Sequence, residues 1–193
     1  MNIGIFGGTF NPPHLGHLIV VESVQDQLHF DKILFVPTAL PPHKTDITIV
    51  SGYQRLEMTQ LAIQGNSYFE ISDVEIRLGG TSYSVITLNA LARQYPKSNF
   101  SLIIGADNFL EIEKWKSIDE ILNNADIVVM HRPGYSIPEL RSKLYRDARF
   151  IKVPAIDISS TDIRRCVKMG KSIKYMVPEP VEKYIYNYHL YSQ

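Results

Sequence analysis

Short apolar runs alternate along the chain with longer stretches in which apolar residues have helical spacing. The runs are rich in β-branched and aromatic residues and are bounded by glycine, proline or polar residues, which is typical of buried strands. Such runs occupy residues 3–6, 32–36, 99–104, 126–130 and 150–153. Residues 69–77 alternate apolar and acidic side chains, which predicts a further strand nearer an edge of the sheet.

The stretches between these strands have the spacing of amphipathic helices. A strand, a helix and a second strand in succession form a βαβ unit, so the fold class is α/β with a mainly parallel sheet. Residues from about 158 to 193 form a small helical portion at the C-terminal end. We predict helices at 15–28, from an N-cap at Ser51 to about 63, from 85 to just before Pro96, at 138–145 and at 178–191, with a short helix capped by Ser117 or Asp119 and another beginning near 159.

The composition adds few constraints to this picture. At 193 residues, 45% of them hydrophobic, the chain is long enough for one domain with a substantial core. Lysine plus arginine and aspartate plus glutamate both number 20, so the overall charge gives no reason to expect a nucleic-acid or membrane partner. The single cysteine, Cys166, excludes an internal disulfide, and no leader-like segment is evident, so the cytoplasm is the expected location.

Residues 3–17, IGIFGGTFNPPHLGH, combine an apolar strand, adjacent glycines and a helix entrance. We expect the chain to turn on Gly7 and Gly8 and to present His14 and His17 at the start of the helix. Glycines let a backbone approach a ligand closely, and a helix N-terminus offers unpaired N–H donors, so this junction is suited to holding a phosphate. The stretch is neither a P-loop nor a dinucleotide GxGxxG motif, because the required spacings are missing.

Further polar residues lie in loops and at strand ends, where proteins with parallel sheets bind ligands. An extended loop at 38–50 carries the cation Lys44 next to a histidine, and 79–84 form a second turn rich in glycine and hydroxyl groups. Asp107 follows the most continuous apolar strand, at the carboxyl end where open α/β sheets place their ligands. These segments are therefore expected to border one site.

Two features have ordinary structural explanations that compete with a functional one. Ser159 and Ser160 precede a predicted helix, and N-capping alone would explain two serines. Because Arg164 follows one turn later, we favour phosphate binding at this helix start. Trp115 is a large aromatic residue among charged neighbours, so stacking on a ligand ring is favoured over core filling.

The segment His-x-Gly-His resembles the signature of the nucleotidyltransferase superfamily, whose aminoacyl-tRNA synthetase members carry a similar HIGH motif. With GGTFNPPHLGH, four more segments occur in the order found in bacterial nicotinate-nucleotide adenylyltransferases: PPHK, GGTSYS, GAD followed by a tryptophan, and ISSTDIR. These motifs cover essentially the whole chain, and PPHK, GTSYS and the tryptophan region narrow the substrate. Asn11 stands where relatives often have aspartate, and it keeps a short polar side chain at the turn.

The resemblance implies a Rossmann-like, doubly wound fold in a single nucleotidyltransferase domain over 1–193. It also implies transfer of the adenylyl group of ATP to nicotinate mononucleotide, which gives deamido-NAD and pyrophosphate in NAD biosynthesis. In that family the motif histidines contact the ATP phosphates, so His17 is expected to act around the reacting centre and His14 to assist. The expected catalytic residues are His17, His14, Lys44 and Arg164, and the expected ATP-binding residues are Gly7, Gly8, Thr9, Phe10, Gly16, Asp107, Ser159 and Ser160.

The acceptor site and the metal follow from the same resemblance. Trp115 is expected to stack on the pyridine ring of nicotinate mononucleotide, and backbone N–H groups near Ser84 and Lys116 are expected to bind its carboxylate. Mg²⁺ is expected to be held mainly by the ATP phosphates, with no metal ligands from the protein. Arg132 is left open between a surface charge and a nucleotide contact. The tyrosines of the last helix are expected to serve packing or subunit contacts, which leaves a homo-oligomer open.

The chemistry of this reaction needs no general base. Nicotinate mononucleotide carries a phosphate whose second pKa is about 6, so its nucleophilic oxygen is largely deprotonated near neutral pH. The protein has to align that oxygen with the α-phosphorus of ATP and stabilise the charge on the phosphates. Sister enzymes acting on nicotinamide mononucleotide or phosphopantetheine remain alternatives, as does a nucleotide-binding regulatory module without turnover.

Overall fold

A six-stranded parallel sheet forms the centre of the molecule. The computed structural model describes residues 1–40, 49–131 and 147–192. The strands lie in the order β3-β2-β1-β4-β5-β6, and every neighbouring pair is parallel, which confirms the predicted α/β class and doubly wound sheet. They are β1 (Asn2–Gly8), β2 (Lys32–Pro37), β3 (Phe69–Ile71), β4 (Asn99–Gly105), β5 (Ala125–His131) and β6 (Arg149–Lys152).

Helices connect the strands and pack against the sheet. In the described ranges they are α1 (Leu15–Leu28), α2 (Gly52–Ile63), α3 (Val74–Leu78), α4 (Ser84–Gln94), α5 (Ala106–Leu110), α6 (Ile118–Asn124), α7 (Ser160–Lys168) and α8 (Glu179–Asn187), with a 3₁₀ turn at Ile112–Lys114. The helix predicted at 138–145 lies outside the described residues. None of the helices in those ranges has the length and apolar character needed to span a membrane.

The strand predicted at 69–77 is wrong beyond Ile71. Only the first three residues pair with β2, and the chain then forms the short helix α3. A strand would have pointed its alternate acidic residues toward solvent. Instead, Glu75 turns inward, where it is 8% exposed and accepts a hydrogen bond of 2.6 Å from the Thr87 hydroxyl. This buried polar contact favours a helical turn over continued pairing at the sheet edge.

The last helix is shorter than predicted. It ends at Asn187, and the chain then leaves the helical path because His189 and Tyr191 have positive φ values of 50° and 63°. The Leu190 N–H donates to the Ile185 carbonyl at 2.9 Å, which folds the final residues back against the helix.

The core consists of two layers on the sheet and a third under the C-terminal helices. Alternate strand residues enter opposite layers, as Leu34 and Phe35 do. The first layer packs against α4 and α6, and the second packs against α1. The third joins α2 to α7 and α8 through residues that include Met58, Ile163 and Ile185. The C-terminal helices are thereby held next to the start of the chain.

The direction of the strand order reverses between β1 and β4. These strands are neighbours, with Ile5 opposite Leu102, although they are far apart in sequence. Chain segments leaving their carboxyl ends diverge to opposite sides, which opens a crevice at the edge of the sheet where ligands bind in such folds. The crevice is bordered by the β1–α1 turn and by the residues that follow Gly105.

Candidate active site

The first strand extends further along the chain than predicted, so the turn comes later in the sequence. Gly7 and Gly8 are still paired with β2, opposite Val36 and Pro37, so the predicted turn on these glycines is wrong. The ladder holds both glycines because β2 itself extends to Pro37. The change of direction occurs at residues 9–13, which include a cis peptide bond before Pro12.

The buried ring of Phe10 packs at this turn. Its side chain is 2% exposed, and its ring meets the edge of the His17 ring with centroids 5.2 Å apart. A Cβ on Gly8 would lie 2.9 Å from this ring, whereas a Cβ on Gly7 would meet nothing within 4 Å. Gly8 is therefore required for packing of the aromatic ring, while Gly7 faces open space.

His14 and His17 form a reciprocal cap at the start of α1. His14 is the N-cap residue, and its Nδ1 accepts the His17 backbone N–H at 3.3 Å. In return, Nδ1 of His17 accepts the His14 backbone N–H at 3.2 Å. The two rings stack with centroids 3.6 Å apart. A three-residue spacing at a helix start places two side chains in position for this exchange.

This cap fixes the proton arrangement of both imidazoles. A neutral imidazole has one N–H and one acceptor nitrogen, and Nδ1 is the acceptor in each ring, so the proton of each neutral ring lies on Nε2. Burial lowers the pKa of His14 to about 4, so this ring is neutral at neutral pH. Such a ring acts as a hydrogen-bond donor through Nε2 and carries no charge.

Gly16 makes room for the histidine pair. A Cβ at this position would lie 3.0 Å from Nδ1 and 3.1 Å from Cε1 of His14, and 3.4 Å from Cγ2 of Ile156. The glycine between the histidines therefore lets the His14 ring lie flat against the first turn of α1. The glycine of the His-x-Gly-His motif is therefore needed for packing of the His14 ring, in addition to any close approach of a ligand.

The start of α7 is fastened to the turn after β1. Ser159 is the N-cap residue, and its Oγ accepts the Asp162 N–H at 3.1 Å, so its capping role is confirmed. The Ser160 hydroxyl donates to the Pro12 carbonyl at 2.8 Å. Arg164 donates through Nη1 to the Asn11 carbonyl at 2.9 Å. The two helix starts that were expected to bind phosphates thus lie side by side.

A cleft of about 600 Å³ lies between these helix starts. Arg164 is the cation and Asp107 the carboxylate among its described lining residues. Gly105 has no Cβ, and a Cβ there would overlap the Asp107 carboxylate. Of the predicted catalytic and ATP-binding residues, the cleft brings together Thr9, His14, Gly16, His17, Asp107, Ser159, Ser160 and Arg164.

The predicted acceptor residues are not among the described lining residues of this cleft. Ser84 is the first residue of α4. Trp115 is half-buried and packs against the first core layer. The Lys116 ammonium lies 4.5 Å from the centroid of the Tyr83 ring, which brings the residue before α4 next to the Trp115 turn. Lys44 and Arg132 lie outside the described residues.

Two residues that join the site to the rest of the fold were not predicted. Arg55, which is 1% exposed, donates to the Thr9 carbonyl at 2.8 Å. The Tyr191 hydroxyl donates to Asn11 Oδ1 at 2.8 Å. The spacing of Arg55 from Met58 on α2 was a usable signal, because residues three apart share a helix face. For Tyr191 the sequence offers no comparable signal.

Comparison with known proteins assigns this geometry to a family. The cytidylyltransferase-like family matches residues 5–166, which contain both histidines and Arg164. A protein named "probable nicotinate-nucleotide adenylyltransferase" from Salinibacter ruber is 39% identical over 191 residues, which cover 99% of this chain and 98% of that protein. A protein of the same name from Desulfitobacterium hafniense is 42% identical, with 98% and 95% covered. The chain belongs to the nicotinate-nucleotide adenylyltransferase family.

The solved structures agree with this assignment at the level of the fold. A nicotinic acid mononucleotide adenylyltransferase from Plasmodium falciparum, solved in complex with NaAD, superposes with a TM-score of 0.77. It is 19% identical in sequence, and the match covers 98% of this chain and 97% of that one. The fold therefore persists where most side chains differ. Membership of the family makes the protein a nucleotidyltransferase, as predicted from its motifs.

Proposed function

We propose that the enzyme transfers the adenylyl group of ATP to nicotinate mononucleotide, which gives deamido-NAD and pyrophosphate. The observation that carries this proposal is the cleft in which the His14–His17 pair faces the start of α7 at the switch point between β1 and β4. The names of the relatives at about 40% identity, which cover nearly all of this chain, point to the same reaction.

ATP binds with its phosphates between the two helix starts. His14 and His17 donate from Nε2, and Arg164 adds a positive charge from the opposite wall. The N-terminus of α7 adds the positive end of its dipole beside Ser159 and Ser160. We further propose that Lys44, which follows the described segment ending at residue 40, supplies another cation to the phosphates.

The reaction is an in-line displacement at the α-phosphorus. A phosphate oxygen of nicotinate mononucleotide forms the new P–O bond, and the bond from the α-phosphorus to the oxygen bridging to the β-phosphorus breaks. The electron pair of that bond leaves with pyrophosphate. No proton is removed from the nucleophile, so the histidines act as donors to developing charge, and one such donor is worth roughly 3 kcal/mol of barrier.

The residues of the cleft fit a metal ion held mainly by substrate. No group of three metal-ligating side chains occurs in the described ranges, and Asp107 is the carboxylate of the described cleft lining. Mg²⁺ keeps waters and phosphate oxygens as most of its ligands, so one carboxylate nearby is sufficient. When bound, the ion neutralises phosphate charge.

The acceptor binds near Ser84, Trp115 and Lys116. The indole of Trp115 stacks on the pyridine ring, and the backbone N–H groups near Ser84 and Lys116 receive the carboxylate. An acceptor carrying an amide would need a hydrogen-bond acceptor from the protein as well as donors. We also propose a cytoplasmic location, because ATP is a substrate and a single cysteine leaves no internal disulfide to form.

The proposal is tested by measuring pyrophosphate release from ATP with three acceptors in parallel: nicotinate mononucleotide, nicotinamide mononucleotide and phosphopantetheine. We expect the highest kcat/KM with nicotinate mononucleotide and formation of deamido-NAD in equal amount to pyrophosphate. A preference for either other acceptor would overturn the substrate assignment alone. Release with none of them, together with ATP binding, would favour a regulatory nucleotide-binding role.

A further inference from the structure

Arg55 is a buried cation held by three backbone carbonyls. It lies in the first turn of α2 and is 1% exposed. Its Nη1 donates to the Thr9 carbonyl at 2.8 Å, its Nη2 to the Ala39 carbonyl at 3.0 Å, and its Nε to the Val50 carbonyl at 3.1 Å. All three nitrogens of the planar guanidinium are therefore engaged with the main chain.

Burial of this cation is costly, and burial lowers the pKa of Arg55 for the same reason. The hydrogen bonds of its side chain in the described chain go to carbonyl oxygens, and the nearby Glu75 carboxylate opposes the lowering of its pKa only as a charge at a distance. An apolar side chain would fill the same space without the desolvation cost. A guanidinium differs from such a side chain in one respect, because its rigid fork sets the relative positions of the groups it binds.

Those carbonyls belong to segments that border the ATP cleft and the proposed acceptor subsite. Thr9 lines the ATP cleft. Ala39 follows β2, and its N–H donates to Ser82 Oγ at 2.9 Å, while the Ser82 N–H donates to the Leu40 carbonyl at 3.0 Å. Ser82 lies two residues before the start of α4, where the acceptor is proposed to bind. Arg55 thus joins the two halves through three successive contacts: Thr9 to Arg55, Arg55 to Ala39, and Ala39 to Ser82.

We propose that Arg55 is a positioning residue that fixes the separation between the ATP cleft and the acceptor subsite. The inference rests on the proposed function, which places the acceptor near Ser84. Because in-line displacement requires the reacting atoms to be placed within a fraction of an ångström, loss of this tie lowers the rate with both substrates bound. Each substrate still meets its own intact subsite, so binding of either one alone changes little.

The test compares Arg55→Lys and Ser82→Ala with a control on the same helix. Arg55→Lys keeps the charge and loses the fork. Ser82→Ala removes the side-chain contact with Ala39 at the other end and leaves the backbone bond from Ser82 to the Leu40 carbonyl in place. The control is Thr59→Val, because Thr59 is fully buried and donates to the Arg55 carbonyl at 2.7 Å without touching the three bound carbonyls. The measurements are kcat with both substrates saturating, KM for each, and the thermal midpoint.

We expect kcat to fall about tenfold or more in Arg55→Lys and severalfold in Ser82→Ala, while each KM stays within about threefold of the wild-type value. Thr59→Val, assayed at the same interval below its midpoint, should keep most of its kcat. The inference is overturned if kcat in both test variants falls no further than in the control, or if the loss is confined to the KM of one substrate.

Should Arg55→Lys fail to fold, Ser82→Ala decides the matter, because Ser82 is only partly buried. The wild-type protein separates this inference from the proposed function. If the wild type releases no pyrophosphate with nicotinate mononucleotide, the proposed function itself fails. If the wild type is active and the two variants match the control, only the positioning role is lost.

Discussion

The imidazole rings of His14 and His17 lie face to face, with their planes 21° from parallel, and each Nδ1 accepts the backbone N–H of the other residue. Protonation of His14 at Nδ1 would break the hydrogen bond from the His17 backbone N–H, in keeping with the lowered pKa of the buried His14. The same contacts close the start of α1 and leave Nε2 of each ring outside the cap. Under the proposed function, helix capping and ATP binding therefore depend on one pair of side chains.

This arrangement predicts a pH dependence of stability. The pKa of His14 is lowered from 6.5 to about 4 by burial, so the unfolded chain binds a proton at this residue where the folded protein does not. As pH falls from about 6.5 toward 4, His14 should lower the free energy of unfolding by up to about 3 kcal/mol. His14→Asn keeps an N-cap acceptor and removes the titration. Chemical denaturation across this range should show the difference between wild type and variant changing with pH, and a constant difference would contradict the shift.

Replacement of His17 by alanine should lower kcat much more than it weakens binding of nicotinate mononucleotide. Under the proposed function its donor acts on charge that develops in the transition state, so we expect a loss of about 100-fold in kcat with a small change in KM. His29→Asn, at the exposed C-cap of the same helix, serves as the matched control. Steady-state kinetics decide the point, and a kcat equal to that of the control would remove His17 from the catalytic role.

The two glycines that end β1 should respond differently to alanine. A Cβ on Gly8 would press on Phe10 at 2.9 Å, so Gly8→Ala should lower the thermal midpoint. Gly7 has open space and is not at a positive φ, so Gly7→Ala should leave the midpoint unchanged. If ATP lies against this strand end, Gly7→Ala should still raise the KM for ATP severalfold. An unchanged KM would show that Gly7 does not border the nucleotide.

Trp115→Ala should mainly raise the KM for nicotinate mononucleotide. Loss of a stacking partner removes roughly 1 kcal/mol of interaction beyond buried area, and Trp115 is not among the described lining residues of the ATP cleft. Trp115→Phe should retain most of the affinity, because it keeps an aromatic face. The KM for ATP serves as the internal control, and an equal rise in both KM values would indicate that the half-buried indole only supports the core.

The elements that local patterns determine were predictable from the sequence. The buried strands and α1 follow from continuous apolar runs and from helical spacing, and the order of the motifs identified the family. The segment at 69–77 misled because its apolar residues fit both a strand and a short helix. The inward turn of Glu75 depends on Thr87, which lies in a different helix. A local sequence pattern does not predict contacts of that kind.

The candidate site residues were also predicted only in part. His14, His17, Ser159 and Arg164 were named as candidates because their motifs are local, and the cleft brings them together. Arg55 was not predicted as a site residue, although it is buried on the same helix face as Met58. Its three carbonyl partners lie in separate segments, so its role depends on the assembled fold.

The contacts of Asn11 make the cleft depend on residues that lie far apart in the chain. Arg164 and Tyr191, which lie 153 and 180 positions further along the chain, both donate to Asn11. The turn before the histidine motif and the residues that hold it therefore come together only in the folded protein. A fragment that stops before α7 should lack the wall of the cleft that carries Arg164.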